Sequence, residues 1–193
     1  MRSKYSILIF LLSSLFGQIT FTGNTVSSPE NPSPVFAIDL DSDGDIDIVS
    51  NQMENYTIDW YENNGSQSFT AHTIYTGMKR SRAVYAVDVD NDGDIDIIAA
   101  ASKGVAGGSS NCTSNEEDDI SWFENDGNQS FTKNTIMSDG DRCTASIYVI
   151  DLDLDGDIDI VEAAGGEDAI NWYRNNGSQN FTEINISTNA IAA

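Results

Sequence analysis

Apolar residues in this chain come in short β-branched or aromatic stretches, each ended by a turn signal or by a run with Asp at every second position. The middle third shows the pattern most fully. Val84-Tyr-Ala-Val87 is continuously apolar, as expected of a strand buried on both faces. An Asp run follows, then Ile97-Ile-Ala-Ala-Ala101, whose small residues suit close packing near a crowded axis. Ile120-Ser-Trp-Phe-Glu124 alternates and reads as a third strand. Asp126-Gly127 supplies the positive φ angles of a tight hairpin into a fourth, Phe131 to Ile136.

The same order occurs three times. Val35 to Val49 recurs as Val84 to Ile98 and as Ile147 to Val161, and each copy is followed by a Trp, an Asn/Asp-Gly pair and Phe-Thr. Trp60, Trp122 and Trp172 stand nine residues before Phe69, Phe131 and Phe181. Four antiparallel strands per repeat is the blade of a β-propeller, so the fold class is all-β. Blade 1 is expected over 31–77, blade 2 over 78–138 and blade 3 over 139–193. The Asp runs are 49 residues apart and then 63, and the excess falls in a Gly/Ser/Asn-rich loop inserted at 102–119. Phe21-Thr22 followed by Val26 matches Phe69-Thr70 followed by Ile74, which makes 19–30 a lone outer strand of an incomplete blade. Three blades leave open edges that need covering, so the chain is expected to form part of a larger propeller.

Charge adds a partner and removes others. The net charge of −22 leaves no cationic stripe for nucleic acid or anionic lipid, and the partner to expect is a cation. Arg2 and Lys4 precede an apolar run from Ile7 to Phe16, too short to span a bilayer and suited to an export signal over 1–18. The mature chain is then expected outside the cell, with no membrane insertion after cleavage.

The Asp runs carry the chemistry. They are Asp39-x-Asp41-x-Asp43-Gly-Asp45-x-Asp47, Asp88-x-Asp90-x-Asp92-Gly-Asp94-x-Asp96 and Asp151-x-Asp153-x-Asp155-Gly-Asp157-x-Asp159. Carboxylates at positions 1, 3, 5 and 9, with Gly at 6 and the carbonyl of position 7 turned inward, let the backbone wrap an ion. The donors are hard oxygens in the number Ca²⁺ prefers, with no nitrogen or sulfur for zinc or copper. About one Ca²⁺ per blade is expected, with all fifteen Asp residues as its ligand loops. A helical EF-hand does not fit the β-rich flanks or the lack of Glu at position 12.

These repeats resemble those of the FG-GAP and VCBS family, bacterial relatives of the integrin α-subunit propeller. The resemblance covers essentially the whole mature chain and implies a propeller with Ca²⁺ in the loop between the first two strands of a blade. Positions 1, 3, 5, 7 and 9 of each run match the family's ligands. The literal Phe-Gly and Gly-Ala-Pro signatures are absent, which points to the bacterial branch.

Two cysteines on an export route favour a disulfide between Cys112 and Cys143, since the loop between strands two and three and the loop into the next blade leave the same face. The basic cluster Lys79-Arg80-Ser81-Arg82 falls on that face and balances the acidic insertion. The repeated Trp reads as packing between blades rather than as a sugar platform. His72, the only histidine, has no recognisable nucleophile beside it, and every Asp of the runs is claimed by a metal loop, so no catalysis is expected. The reading is an exported calcium-binding scaffold for adhesion to an extracellular protein or carbohydrate. The alternatives are an accessory propeller of a larger polysaccharide-degrading enzyme, or a spacer in a surface protein.

Overall fold

The computed structural model describes residues 23, 25–27, 32–102, 118–139 and 142–187. All regular structure among them is β, in twelve strands. The first sheet holds β1 (Pro32–Ile38), β2 (Asp47–Gln52), β3 (Thr57–Asn63) and β4 (Phe69–Thr76). The second holds β5 (Ser81–Val87), β6 (Asp96–Ala101), β7 (Asp118–Asn125) and β8 (Phe131–Asp139). The third holds β9 (Thr144–Ile150), β10 (Asp159–Ala164), β11 (Ala169–Asn175) and β12 (Phe181–Ser187). Each sheet is an antiparallel meander in sequence order, so the three repeats are three propeller blades.

Register explains the repeated aromatic positions. Phe36, Val49, Trp60 and His72 lie opposite one another across blade 1. Tyr85, Ile98, Trp122 and Asn134 form the same row in blade 2, and Tyr148, Val161, Trp172 and Ile184 in blade 3. Two cores follow, both between blades. One joins the Trp60 face of blade 1, with Val49 and Ile58, to Val84, Ile97 and Phe123 of blade 2. The other joins the Trp122 face of blade 2 to Ile147, Ile160 and Tyr173 of blade 3. Trp60 and Trp122 are therefore packing residues, as expected, while Trp172 belongs to neither core and is half-buried. Burying a side chain of that size contributes at most roughly 5 kcal/mol.

The innermost strands pack side by side, β1 on β5 and β5 on β9. Their aromatic rings form a ladder: Phe36 and Tyr85 are 5.8 Å apart between centroids, Tyr85 and Tyr148 6.2 Å. The Tyr85 hydroxyl donates to the Ile147 carbonyl at 3.0 Å and ties blade 2 to blade 3.

One local detail differs from the sequence reading. The β3–β4 connection is not a tight two-residue turn but a five-residue loop closed by Asn64 N–H to the Ser68 carbonyl at 3.1 Å. Positive φ falls on Gly65 (73°) and on Gln67 (61°) rather than on the Asn. The Asn64 side chain instead accepts from the N–H groups of Ser66 and Ser68, an Asx arrangement that replaces the primed turn.

The export segment 1–18, most of the inserted loop 102–119 and Cys112 lie outside the described residues. Of the expected strand at 19–30, residues 23 and 25–27 are irregular backbone, and the others also lie outside. No helix among the described residues is long and apolar enough to cross a membrane.

Candidate metal centres

Each Asp run forms the loop between the first two strands of its blade, and the loop is built from its own carboxylates. In blade 2, the position-1 residue Asp88 accepts from the N–H groups of Asp92 and Gly93 at 3.2 and 3.0 Å. Asp90 accepts from Asp92 N–H at 3.3 Å and Asp92 from Asp94 N–H at 2.9 Å. Blade 1 repeats this through Asp39, Asp41 and Asp43, and blade 3 through Asp151 and Asp155. The wrap requires left-handed backbone twice, at position 6 (Gly44, Gly93 and Gly156, φ 96–99°) and at position 4. Position 4 is Ser42, Asn91 or Leu154, each with φ near 62°. Glycine at position 6 is legible in the sequence; the strain at Leu154, which has no Gly or Asn to ease it, is not.

Position 9 does a different job. Asp47, Asp96 and Asp159 are buried, and each accepts two backbone N–H groups. One comes from position 2 of the same loop: Leu40, Val89 or Leu152, at 3.0–3.1 Å. The other comes from the last residue of the third strand: Asn63, Asn125 or Asn175, at 2.8 Å in all three blades. The amide of that Asn donates back to the position-8 carbonyl of Ile46, Ile95 or Ile158. The Asn thus locks the metal loop to the strand carrying the Trp. It escaped the sequence reading, although Trp-x-x-Asn recurs in register in all three repeats and could have marked it.

Position 7 turns outward. A Cβ placed on Gly127 would fall 2.6 Å from Asp94 Oδ2, and one on Gly177 2.6 Å from Asp157 Oδ2; Gly65 faces Asp45 likewise. The position-7 carboxylate therefore lies against the β3–β4 loop of its own blade, and the loop's glycine is needed for that close approach as well as for its φ.

Carboxylates converge in each loop. Asp39, Asp41 and Asp43 bring oxygens within 4.8 Å of one another, as do Asp88, Asp90 and Asp96, and Asp151, Asp153 and Asp159. Their proton affinities register the crowding. Burial and then the Asp92 charge push the Asp90 carboxyl up, and burial does the same at Asp41. Burial pushes Asp96 up to about 6, with the N–H groups of Asn125 and Val89 holding it back. Two unit charges 4.8 Å apart repel by about 3 kcal/mol at an effective dielectric of 20, so a divalent cation would relieve all three loops. The donors are oxygen only, which fits Ca²⁺ and no softer metal.

The third loop departs from the other two. Where blades 1 and 2 carry Glu62 and Glu124 on the third strand, blade 3 carries Arg174. Its Nε lies 2.7 Å from Asp153 Oδ2 and its Nη2 3.4 Å from Asp155 Oδ2. The Asp157 N–H and this guanidinium draw the Asp155 carboxyl below the usual range, while burial and neighbouring carboxylates raise Asp157.

A family model described as FG-GAP-like repeat matches residues 39–99 and 108–162. A comparison with curated proteins gives no match. The two matched segments cover more than half of the chain and take in all three Asp runs, and on that ground the chain belongs to the FG-GAP-like repeat family.

Proposed function

We propose that this chain is an exported, calcium-stabilised, non-catalytic propeller scaffold. Its loops on the face opposite the metal loops would hold an extracellular protein or carbohydrate. The observation that carries the calcium reading is the convergence of three carboxylate oxygens within 4.8 Å once per blade, always including positions 1 and 3, with position 5 as the third in blade 1 and position 9 in blades 2 and 3. Bound Ca²⁺ would supply charge neutralisation in each loop. The chain's own part is to hold positions 1, 3 and 5 by backbone N–H groups and to anchor position 9 to the third strand. Extracellular modules bind Ca²⁺ with dissociation constants of roughly 10⁻⁴ to 10⁻³ M.

The partner face takes its support from topology. The β2–β3 and β4–β5 connections leave each blade on the side away from the metal loops, and the insertion at 102–119 belongs to that side. Cys143, just before β9, is on it too, and no described cysteine is a free thiol. A Cys112–Cys143 bridge would clamp the insertion beside the entry to blade 3. Family membership supports an extracellular scaffold.

The test is calorimetric titration with Ca²⁺ and Mg²⁺, paired with thermal melts in chelator. About one Ca²⁺ site per blade and a melting temperature lowered by many degrees in chelator are expected. An unchanged melt overturns the calcium reading. Glycan and extracellular-protein arrays probed with the chain, and with a variant lacking the 102–119 insertion, test the partner face. Binding that survives the deletion removes the insertion from that role.

A further inference from the structure

Blade 3 answers the crowding of its Asp loop with a cation of its own. Arg174, two residues after Trp172 on β11, sets its Nε 2.7 Å from Asp153 Oδ2 and its Nη2 3.4 Å from Asp155 Oδ2, the carboxylates at positions 3 and 5. Glu62 and Glu124 hold the equivalent place in blades 1 and 2. Each adds a negative charge that acts on its own position-3 residue, Asp41 or Asp90. The outer strand accounts for the difference. Glu62 is held by the His72 ring at 2.7 Å and Glu124 by the Asn134 amide at 3.1 Å, in both cases from the residue opposite the Trp. In blade 3 the residue opposite the Trp is Ile184, which has no polar atom to offer, so the side chain at 174 finds its partners in the loop instead.

A guanidinium and a metal ion cannot both hold the same two carboxylates. Resting on the calcium reading above, we propose that Arg174 is the countercation of the metal-free third loop and the competitor for its metal, so that blade 3 fills with Ca²⁺ last and empties first. The side chain is half-exposed, 48% against 24% and 31% for the two aspartates, and is therefore free to leave them. Two ion pairs of this partly solvated kind make the third loop weaker by roughly ten-fold, which is about 1.4 kcal/mol. If the first two loops bind with a dissociation constant of roughly 10⁻⁴ M, the third is half filled near roughly 10⁻³ M. Blade 3 alone then responds to calcium in the millimolar range. Without metal, the same contact relieves in blade 3 a repulsion that the other two loops must bear.

The test is a Ca²⁺ titration of the ¹⁵N-labelled chain followed by NMR. Each loop reports separately, because the N–H groups of Gly44, Gly93 and Gly156 each donate to the position-1 carboxylate of their own loop at 3.0 Å. Gly44 and Gly93 should shift at one calcium concentration and Gly156 at roughly ten-fold more. Arg174→Gln should bring Gly156 to the midpoint of the other two. The reciprocal variant, Glu124→Arg, should move Gly93 up to the midpoint of Gly156. In chelator, Arg174→Gln should melt below the parent although it binds calcium more tightly, a pair of opposite effects that a merely structural arginine would not produce.

Three results overturn the proposal: a single midpoint for all three glycines in the parent, a Gly156 midpoint that Arg174→Gln leaves in place, or an Arg174→Gln melt in chelator at or above that of the parent. No shift at any of the three glycines is a different failure. It overturns the calcium reading itself, and this inference with it.

Discussion

Replacing Arg142 by Met removes the cation from the most deeply buried ionic cluster among the described residues. Glu162, on β10, is fully buried. It accepts from the Thr144 hydroxyl at 2.6 Å, the Tyr173 hydroxyl at 2.7 Å and the Asn171 amide at 3.1 Å. Arg142 Nη1 lies 3.7 Å from its second oxygen, donates to the Tyr173 hydroxyl at 3.1 Å and forks onto Glu183 at 2.8 and 2.9 Å. The Tyr173 hydroxyl is pushed far up by burial and by Glu162, so it stays a donor. Taking away one partner of a buried pair leaves an uncompensated charge and costs about 3–5 kcal/mol. For a chain of this size that lowers the melting temperature by roughly 6–20 °C, measured by scanning calorimetry in saturating calcium. The double variant Arg142→Met with Glu162→Gln, which leaves no buried charge, should recover most of the loss. A single variant costing under about 1 kcal/mol, or a double variant no more stable than the single, refutes the claim that Arg142 and Glu162 act as a buried pair.

Three further outcomes follow from the metal loops. Arg174→Glu gives blade 3 the residue type of the other two blades and should tighten Ca²⁺ at the third loop by roughly ten-fold, read by titration calorimetry; unchanged or weaker binding counts against the ion pairs to Asp153 and Asp155. Gly127→Ala places a Cβ 2.6 Å from Asp94 Oδ2 at a φ of 77° and should cost roughly 1–3 kcal/mol in a urea melt. In chelator, stability should fall as pH rises from 4 to 6, because Asp96 at about 6 in the fold binds a proton that the unfolded chain, at 3.8, has already lost. The contribution is at most about 3 kcal/mol, Asp41 and Asp90 act in the same direction, and Asp96→Asn should flatten the slope. With calcium present the dependence should reverse, because a protonated carboxylate releases the metal.

What the sequence displays openly is whatever the repeat copies. The row Phe36–Val49–Trp60 and its two counterparts keep one spacing in three copies, so blade, register and metal loop could be read together. Residues that act once are hidden. Glu162 stands where the other blades have Ser50 and Ala99, Arg142 where blade 2 has Lys79, and nothing in the spacing of two charged residues twenty positions apart says that β9 and β10 will bring them together. Arg174 breaks the pattern visibly, but its contact with Asp153 depends on how far the third strand leans over the loop. The left-handed residue two places after the hairpin glycine, Gln67, Gln129 or Gln179, recurs in register, yet Gln has no left-handed preference to betray it.

The same distinction separates the two kinds of surface on this molecule. A blade needs neighbours on both faces, because its Trp row is half of a core whose other half is the next blade's inner face. Repetition therefore specifies the junction as firmly as the blade, and Trp172 carries the same instruction as Trp60 and Trp122 although its face stays more open. The Asp loops are repeated in the same way, once in each blade. A partner-specific surface cannot be of that kind: it has to be built from what one blade has and the others lack. Among the described residues the non-repeated features are Arg174, which pairs with the third Asp loop, and Cys143 with the Arg142 cluster at the entry to blade 3, on the side away from those loops. On the proposed reading, selectivity for a partner is to be sought at that entry, on a frame whose repeated parts supply rigidity.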